Sequence, residues 1–126
     1  VRMTKILVID DEAMIRNVVS ALLRQAGHDV VDAEHGLNGI AMAQTEKPDL
    51  ILLDVMMPGM GGTETLARLA ERIDLAQIPV VFMTAKVQPG EAEHLRKLGA
   101  RDVIVKPFDP MRLAGQIQSI WDADGL

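Results

Sequence analysis

Short apolar runs alternate with amphipathic stretches along the whole chain, and few folds accommodate that alternation. Lys5–Ile9, residues 30–33, 50–53 and 80–83, and Asp102–Val105 are strand-length and rich in Val, Ile and Leu. Runs as continuously apolar as 6–9 and 50–53 suit strands covered on both faces. Between them, residues 12–26 carry Ile15, Val18, Val19, Leu22, Leu23 and Ala26 at helical spacing, and Gly27 stands where a left-handed cap ends a helix. The spacing predicts further helices over 37–44, with Pro48 beyond, and over 63–72, with Thr63 as cap and Leu66, Leu69, Ala70 and Ile73 inward. A fourth is expected over 89–98, ended by Gly99. The last is capped by Asp109, opens on Pro110, and has Leu113, Ala114, Ile117, Ile120 and Trp121 on its apolar face. Five β-α units with short connections predict an α/β fold, a doubly wound five-stranded parallel sheet with helices on both faces.

A length of 126 residues suits one domain spanning 1–126. The absence of cysteine excludes disulfides and Cys-ligated zinc and is compatible with the cytoplasm. No apolar run approaches the ~20 residues of a membrane span, so no membrane partner is expected. Val1-Arg2-Met3-Thr4 lacks the apolar core of a signal peptide, and Met3 reads as a start or the chain as a cut fragment. A net charge of −5 argues against direct nucleic-acid binding. His28, His35 and His94 are scattered, without zinc spacing, and are expected to be solvated.

Chemistry concentrates where the apolar runs end. Asp10-Asp11 follow the first run, Asp54 the third, Thr84 the fourth and Lys106 the fifth. Ligands of open parallel sheets bind beyond the carboxyl ends of strands, so these side chains are placed to share a site. Carboxylates brought together repel, and a hard cation such as Mg²⁺ relieves that repulsion. An exposed Asp54 beside such a cation is a competent nucleophile toward phosphorus. A hydroxyl from Thr84 and an ammonium from Lys106 suit phosphoryl oxygens. Each residue also has an ordinary explanation: Asp10-Asp11-Glu12 as an acidic helix start, Asp54 as a strand terminator, Thr84 as a strand residue and Lys106 as a surface lysine. The combination is far more specific than its parts.

Together, Asp10-Asp11, Asp54-Val55-Met56-Met57-Pro58-Gly59, Thr84-Ala85 and Lys106-Pro107-Phe108 closely resemble a response-regulator receiver domain, in order and over nearly the whole chain. The resemblance implies the CheY-like, flavodoxin-like fold with strand order 2-1-3-4-5. It implies phosphoryl transfer to Asp54 from a histidine kinase or a histidine phosphotransfer protein. By the same match Asp11, Asp54 and the Met56 backbone carbonyl bind Mg²⁺, or Mn²⁺ in its place, and Asp10 acts through water. Thr84 turns toward the phosphoryl group and Lys106 pairs with it. The implied protein is not an enzyme in the usual sense, because it catalyses only its own phosphorylation and dephosphorylation. Its output protein would dock on the fourth helix, fifth strand and fifth helix, within residues 90–121.

Three positions depart from the family pattern. Val103 stands where an aromatic is usual, three residues before the lysine, and the chain has no tyrosine. Without a ring to swing, switching is expected to run through backbone and loop shifts. Gly61 replaces a common Asp, which should alter a helix cap rather than the chemistry. Met56 and Lys86 occupy the two variable positions that influence dephosphorylation, and Lys86 reads as solvated. A cis Lys106-Pro107 bond would suit a turn that points the amine inward. Other functions fit less well. Haloacid-dehalogenase phosphatases need Asp-x-Asp after the first strand, flavodoxins a hydroxyl-rich loop there, and P-loop NTPases a G-x-x-x-x-G-K-[S/T] motif that is absent. The rival from another class is a phosphorylation-independent interaction domain that keeps the fold.

Overall fold

The computed structural model describes residues 4–85, 88–106 and 111–123, apart from the side chains of Trp121 and Ala123. Its elements run β1 (Lys5–Ile9), α1 (Ala13–Gln25), β2 (Asp29–Ala33), α2 (Gly36–Glu46), β3 (Leu50–Asp54), α3 (Gly62–Ala70), β4 (Val80–Thr84), α4 (Glu91–Lys97), β5 (Asp102–Val105) and α5 (Leu113–Ala123). The strands form one parallel sheet in the order β2-β1-β3-β4-β5. The α/β architecture is the one the sequence pattern predicts, and the strand order is the one the family resemblance implies.

The apolar strands feed two cores. Successive strand residues point to opposite faces, so Ile6, Val8, Leu50, Leu52, Val81 and Met83 pack on one face with Val19 and Leu23 of α1 and Leu113, Ile117 and Ile120 of α5. Leu7, Ile9, Ile51, Leu53, Val80 and Phe82 point the other way, onto Ile40 of α2, Leu66 and Leu69 of α3, and Leu95 of α4. All five residues of β3 and of β4 are buried. Each fully buried large aliphatic side chain contributes roughly 1.5–3 kcal/mol, so this double core dominates the stability.

The sequence places the helices correctly but not all of their ends. Gly27 does adopt the left-handed conformation after α1, at φ 97°. The first helix starts at Ala13, with Glu12 as its N-cap residue. Thr63 does not cap α3. Gly61 holds that position in extended backbone, and Thr65 donates its hydroxyl to the Gly61 carbonyl at 2.8 Å. The helix ends at Ala70, which is exposed, and Arg72 and Ile73 form a turn whose amides both bond the Leu69 carbonyl. Helix α4 is shorter than its periodicity, because Gly90 is left-handed at φ 83° and the helical backbone starts after it. The expected Asp109 cap, Pro110, Phe108, Lys86, the isomer of Lys106-Pro107 and the Trp121 side chain lie outside the described residues.

His28 is not solvated. It is only 7% exposed at the end of the sheet opposite the strand termini, where its Nδ1 pairs with the Thr4 hydroxyl. Burial lowers its pKa, because the charged imidazolium loses hydration there.

Candidate functional site

Strand register assembles the site. β1 and β3 are central neighbours, and Ile9 lies beside Leu53, so Asp10 emerges next to Asp54. Asp54 pairs with Met83, the residue before Thr84, and Thr84 pairs with Val105, the residue before Lys106. The rim is thus built by neighbouring strand ends, stepped by one residue toward β5. The chain runs outward to β2 on one side of β1 and to β3 on the other, and ligands bind at such a reversal of strand order.

The side chains converge as the rim suggests. Lys106 Nζ lies 2.9 Å from Asp10 Oδ2 and 3.3 Å from Asp54 Oδ1. Its amide donates to the Thr84 carbonyl at 2.7 Å, which ties the end of β5 to β4. Asp10 is fully buried, and its Oδ1 accepts the Glu12 amide at 2.9 Å. Asp10 therefore supports the turn into α1 and faces the site at the same time. Thr84 is buried beside them, while Met56 is 75% exposed just beyond Asp54. A cleft of about 790 Å³, lined by Met56, Thr84, Ala85, Pro89 and His94 among others, opens alongside.

Asp54 is 3% exposed, which corrects the expectation of an exposed carboxylate. It ends a fully buried strand, and the Val55 amide on the Met83 carbonyl carries the pairing with β4 one step past it. Its pKa is raised to about 6. Burial is the main cause and the Asp10 charge adds to it, while the charge and hydrogen bond of Lys106 oppose it. Burial alone would lower the pKa of Lys106, but its hydrogen bond to Asp10 and the charges of Asp10 and Asp54 outweigh that and raise it.

The acidic group has the character of a cation site. Oxygens of Asp10, Glu12 and Asp54 all lie within 4.8 Å of one another. Asp11 Oδ1 is buried and has no hydrogen-bond partner among the described residues. An orphaned carboxylate oxygen beside clustered acids is costly unless a cation serves it, so the donors fit a hard divalent ion. Asp11, expected among the ligands, adds the smallest share to the raised pKa of Asp54 and is not in the tightest group. Glu12, passed over in the sequence as part of a helix start, is in it. The signal was the third acid in Asp10-Asp11-Glu12, which the turn into α1 carries back toward β3.

Residues 6–118 match the model of the response regulator receiver domain. The chain belongs to that family. It is 36% identical over 118 residues to protein PilH of Pseudomonas aeruginosa, covering 94% of this chain and 98% of that one. It is 40% identical to the phosphate regulon transcriptional regulatory protein PhoB of the same organism, covering 95% of this chain and 52% of PhoB. It therefore spans about half the length of several transcriptional regulators it matches. The chemotaxis protein CheY4 of Vibrio cholerae superposes with a TM-score of 0.87 at 33% identity, covering 94% of this chain and 99% of CheY4. These relatives place the receiver in two-component signalling. Among the described residues, no helix is long and apolar enough to cross a membrane.

Proposed function

We propose that Asp54 accepts a phosphoryl group from the phosphohistidine of a histidine kinase or a histidine phosphotransfer protein, and that residues 1–126 act as one receiver unit whose phosphorylation switches partner binding. The observation that carries this reading is the convergence of Asp10, Asp54 and Lys106 at 2.9 and 3.3 Å on the strand-order reversal. A carboxylate oxygen of Asp54 forms the new P–O bond as the P–N bond breaks. The departing imidazole keeps the electron pair and takes up a proton. Lys106 is already charged and moves from the Asp54 carboxylate to the phosphoryl oxygens, and the Thr84 hydroxyl turns toward the same group. Mg²⁺, or Mn²⁺ in its place, would be held by Asp11, Asp54 and the Met56 carbonyl, with Asp10 through water, and when bound would neutralise phosphoryl charge. A phosphorylation-independent scaffold has less support, since a buried acid pair held by one lysine is expensive to keep without a use.

Docking surfaces accompany the site. Met14 and Val18 are exposed on α1, and with Leu22 they make a stripe at i, i+4 and i+8. Leu22 also lines a cleft with Met111 and Ala114 at the start of α5. This apolar strip, running from the Asp54 end of the sheet, suits a helical phosphodonor. Leu98 and Val105 are exposed within 90–121, the face proposed for the output protein. Phosphorylation adds about −1.5 to −2 charge and shifts the population between two loop arrangements.

The test is transfer of labelled phosphate from a phosphorylated histidine phosphotransfer protein to the wild-type chain and to Asp54→Asn. Label is expected on the wild type alone. Continued labelling of the variant would move the acceptor elsewhere.

A further inference from the structure

Arg16 lies on α1, outside the set of side chains that meet at the strand ends, and its side chain is 15% exposed. Its Nη1 donates to the Asp10 carbonyl at 2.8 Å. Its Nε faces Asp32 Oδ1 on β2 at 3.8 Å. Asp10 is the point where the chain leaves the sheet. Its amide still bonds β2, through the Ala33 carbonyl at 3.1 Å. Its carbonyl belongs to the Asp10-Asp11 peptide, and a peptide is planar. Fixing that carbonyl therefore fixes the plane from which Asp11 departs. The same peptide begins the turn in which the Glu12 amide reaches Asp10 Oδ1. Arginine suits the place because its rigid fork can serve a carbonyl and a carboxylate together, which an ammonium does less well.

We infer that Arg16, braced by Asp32, is a positioning residue for the divalent cation: it presets the Asp10-Asp11 turn so that the acidic side chains are in place before the ion arrives. The inference rests on the proposed Mg²⁺ site. Without the clamp, the turn that carries Asp11 and its unpartnered Oδ1 would relax, with carboxylates moving apart to relieve their repulsion. Binding would then have to reassemble them.

The test compares wild type, Arg16→Ala, Arg16→Lys and Asp32→Asn by calorimetric Mg²⁺ titration. Amide hydrogen exchange at Glu12 in the metal-free protein is the second readout. Arg16→Ala is expected to raise the Mg²⁺ dissociation constant roughly tenfold, the scale at which residues supporting metal ligands act. It should also speed Glu12 exchange, while phosphorylation by acetyl phosphate at saturating Mg²⁺ stays near the wild-type rate. Arg16→Lys should recover part of the affinity, and Asp32→Asn should weaken binding less than Arg16→Ala. A folded Arg16→Ala with wild-type affinity and wild-type Glu12 exchange would overturn the inference alone. If Arg16→Ala does not fold, unchanged affinity in both Arg16→Lys and Asp32→Asn would overturn it. A wild-type chain that binds no Mg²⁺ would overturn the metal site and this role together.

Discussion

In its proposed role Asp54 must be ionised to attack phosphorus, yet it is placed where burial and Asp10 resist ionisation. The conflict has a measurable cost. In the unfolded chain Asp54 ionises near 3.8, whereas in the folded protein it does so near 6. As pH rises through that window the unfolded state loses its proton first, so stability falls, and the full penalty persists above it. Asp54→Asn removes the titration. Without Mg²⁺, the variant is expected to be more stable than wild type by about 1–3 kcal/mol at about pH 8 and nearly equal at about pH 4. The lost Lys106 pairing keeps the gain toward the lower end. Urea unfolding at the two pH values checks this, and a variant less stable at the higher pH would contradict it. That Asp10, Asp54 and Lys106 meet at one rim was legible in the sequence because each follows an apolar run, and strand ends are where a parallel sheet gathers its side chains. The burial of Asp54 was not. A strand-terminal Asp reads as solvent-facing, and no side-chain pattern announces that the pairing with β4 continues past it, with the Val55 amide on the Met83 carbonyl.

Individual elements explain what periodicity left out. Helical spacing reports the apolar face but not the first residue, so Thr63 reads as a cap while the backbone turns one step earlier, at Gly61. Two adjacent glycines in this loop should respond in opposite ways. A side chain at Gly61 meets only ordinary contact, 3.6 Å from the Val55 carbonyl oxygen, and the N-cap there has no side-chain hydrogen bond. Gly61→Ser should therefore gain a few tenths of a kcal/mol. A Cβ at Gly62 would press on the Asp54 carbonyl oxygen and lie 2.7 Å from Val55 Cα. Both are backbone atoms that cannot swing aside. Gly62→Ala should cost about 1–3 kcal/mol, as overpacking does, and should weaken Mg²⁺ binding by displacing the strand end that presents Asp54. Thermal unfolding with Mg²⁺ titration distinguishes the two, and a neutral Gly62→Ala would show that the loop yields. Helix α4 teaches the same lesson, since the left-handed Gly90 postpones its start although 89–98 is patterned as a helix.

At the scale of the whole molecule, the sheet separates a stable body from a costly rim. The two cores and the alternation of strand residues between them follow from the apolar pattern, and the strand order was implied by the family resemblance, which is why the fold was readable. His28 was not, because a lone histidine after Gly27 gives no sign that Thr4 will pair with it across the start of β1. Its lowered pKa sets a second pH dependence of opposite sign. As pH falls below about 6.5 the unfolded chain takes up a proton that the buried imidazole resists, so stability falls with pH. In an Asp54→Asn background this slope should stand clear, and adding His28→Asn should remove most of it in urea midpoints across that range. An unchanged slope would assign the titration to other groups. The central claim, that the rim is a metal-assisted phosphoacceptor, is tested most directly by intact mass after incubation with acetyl phosphate, with and without Mg²⁺, for wild type and Asp54→Asn. The account predicts a single phosphoryl adduct on the wild type that requires Mg²⁺ and is absent from the variant. An adduct of equal yield on Asp54→Asn, or no adduct together with no Mg²⁺ binding, would contradict it.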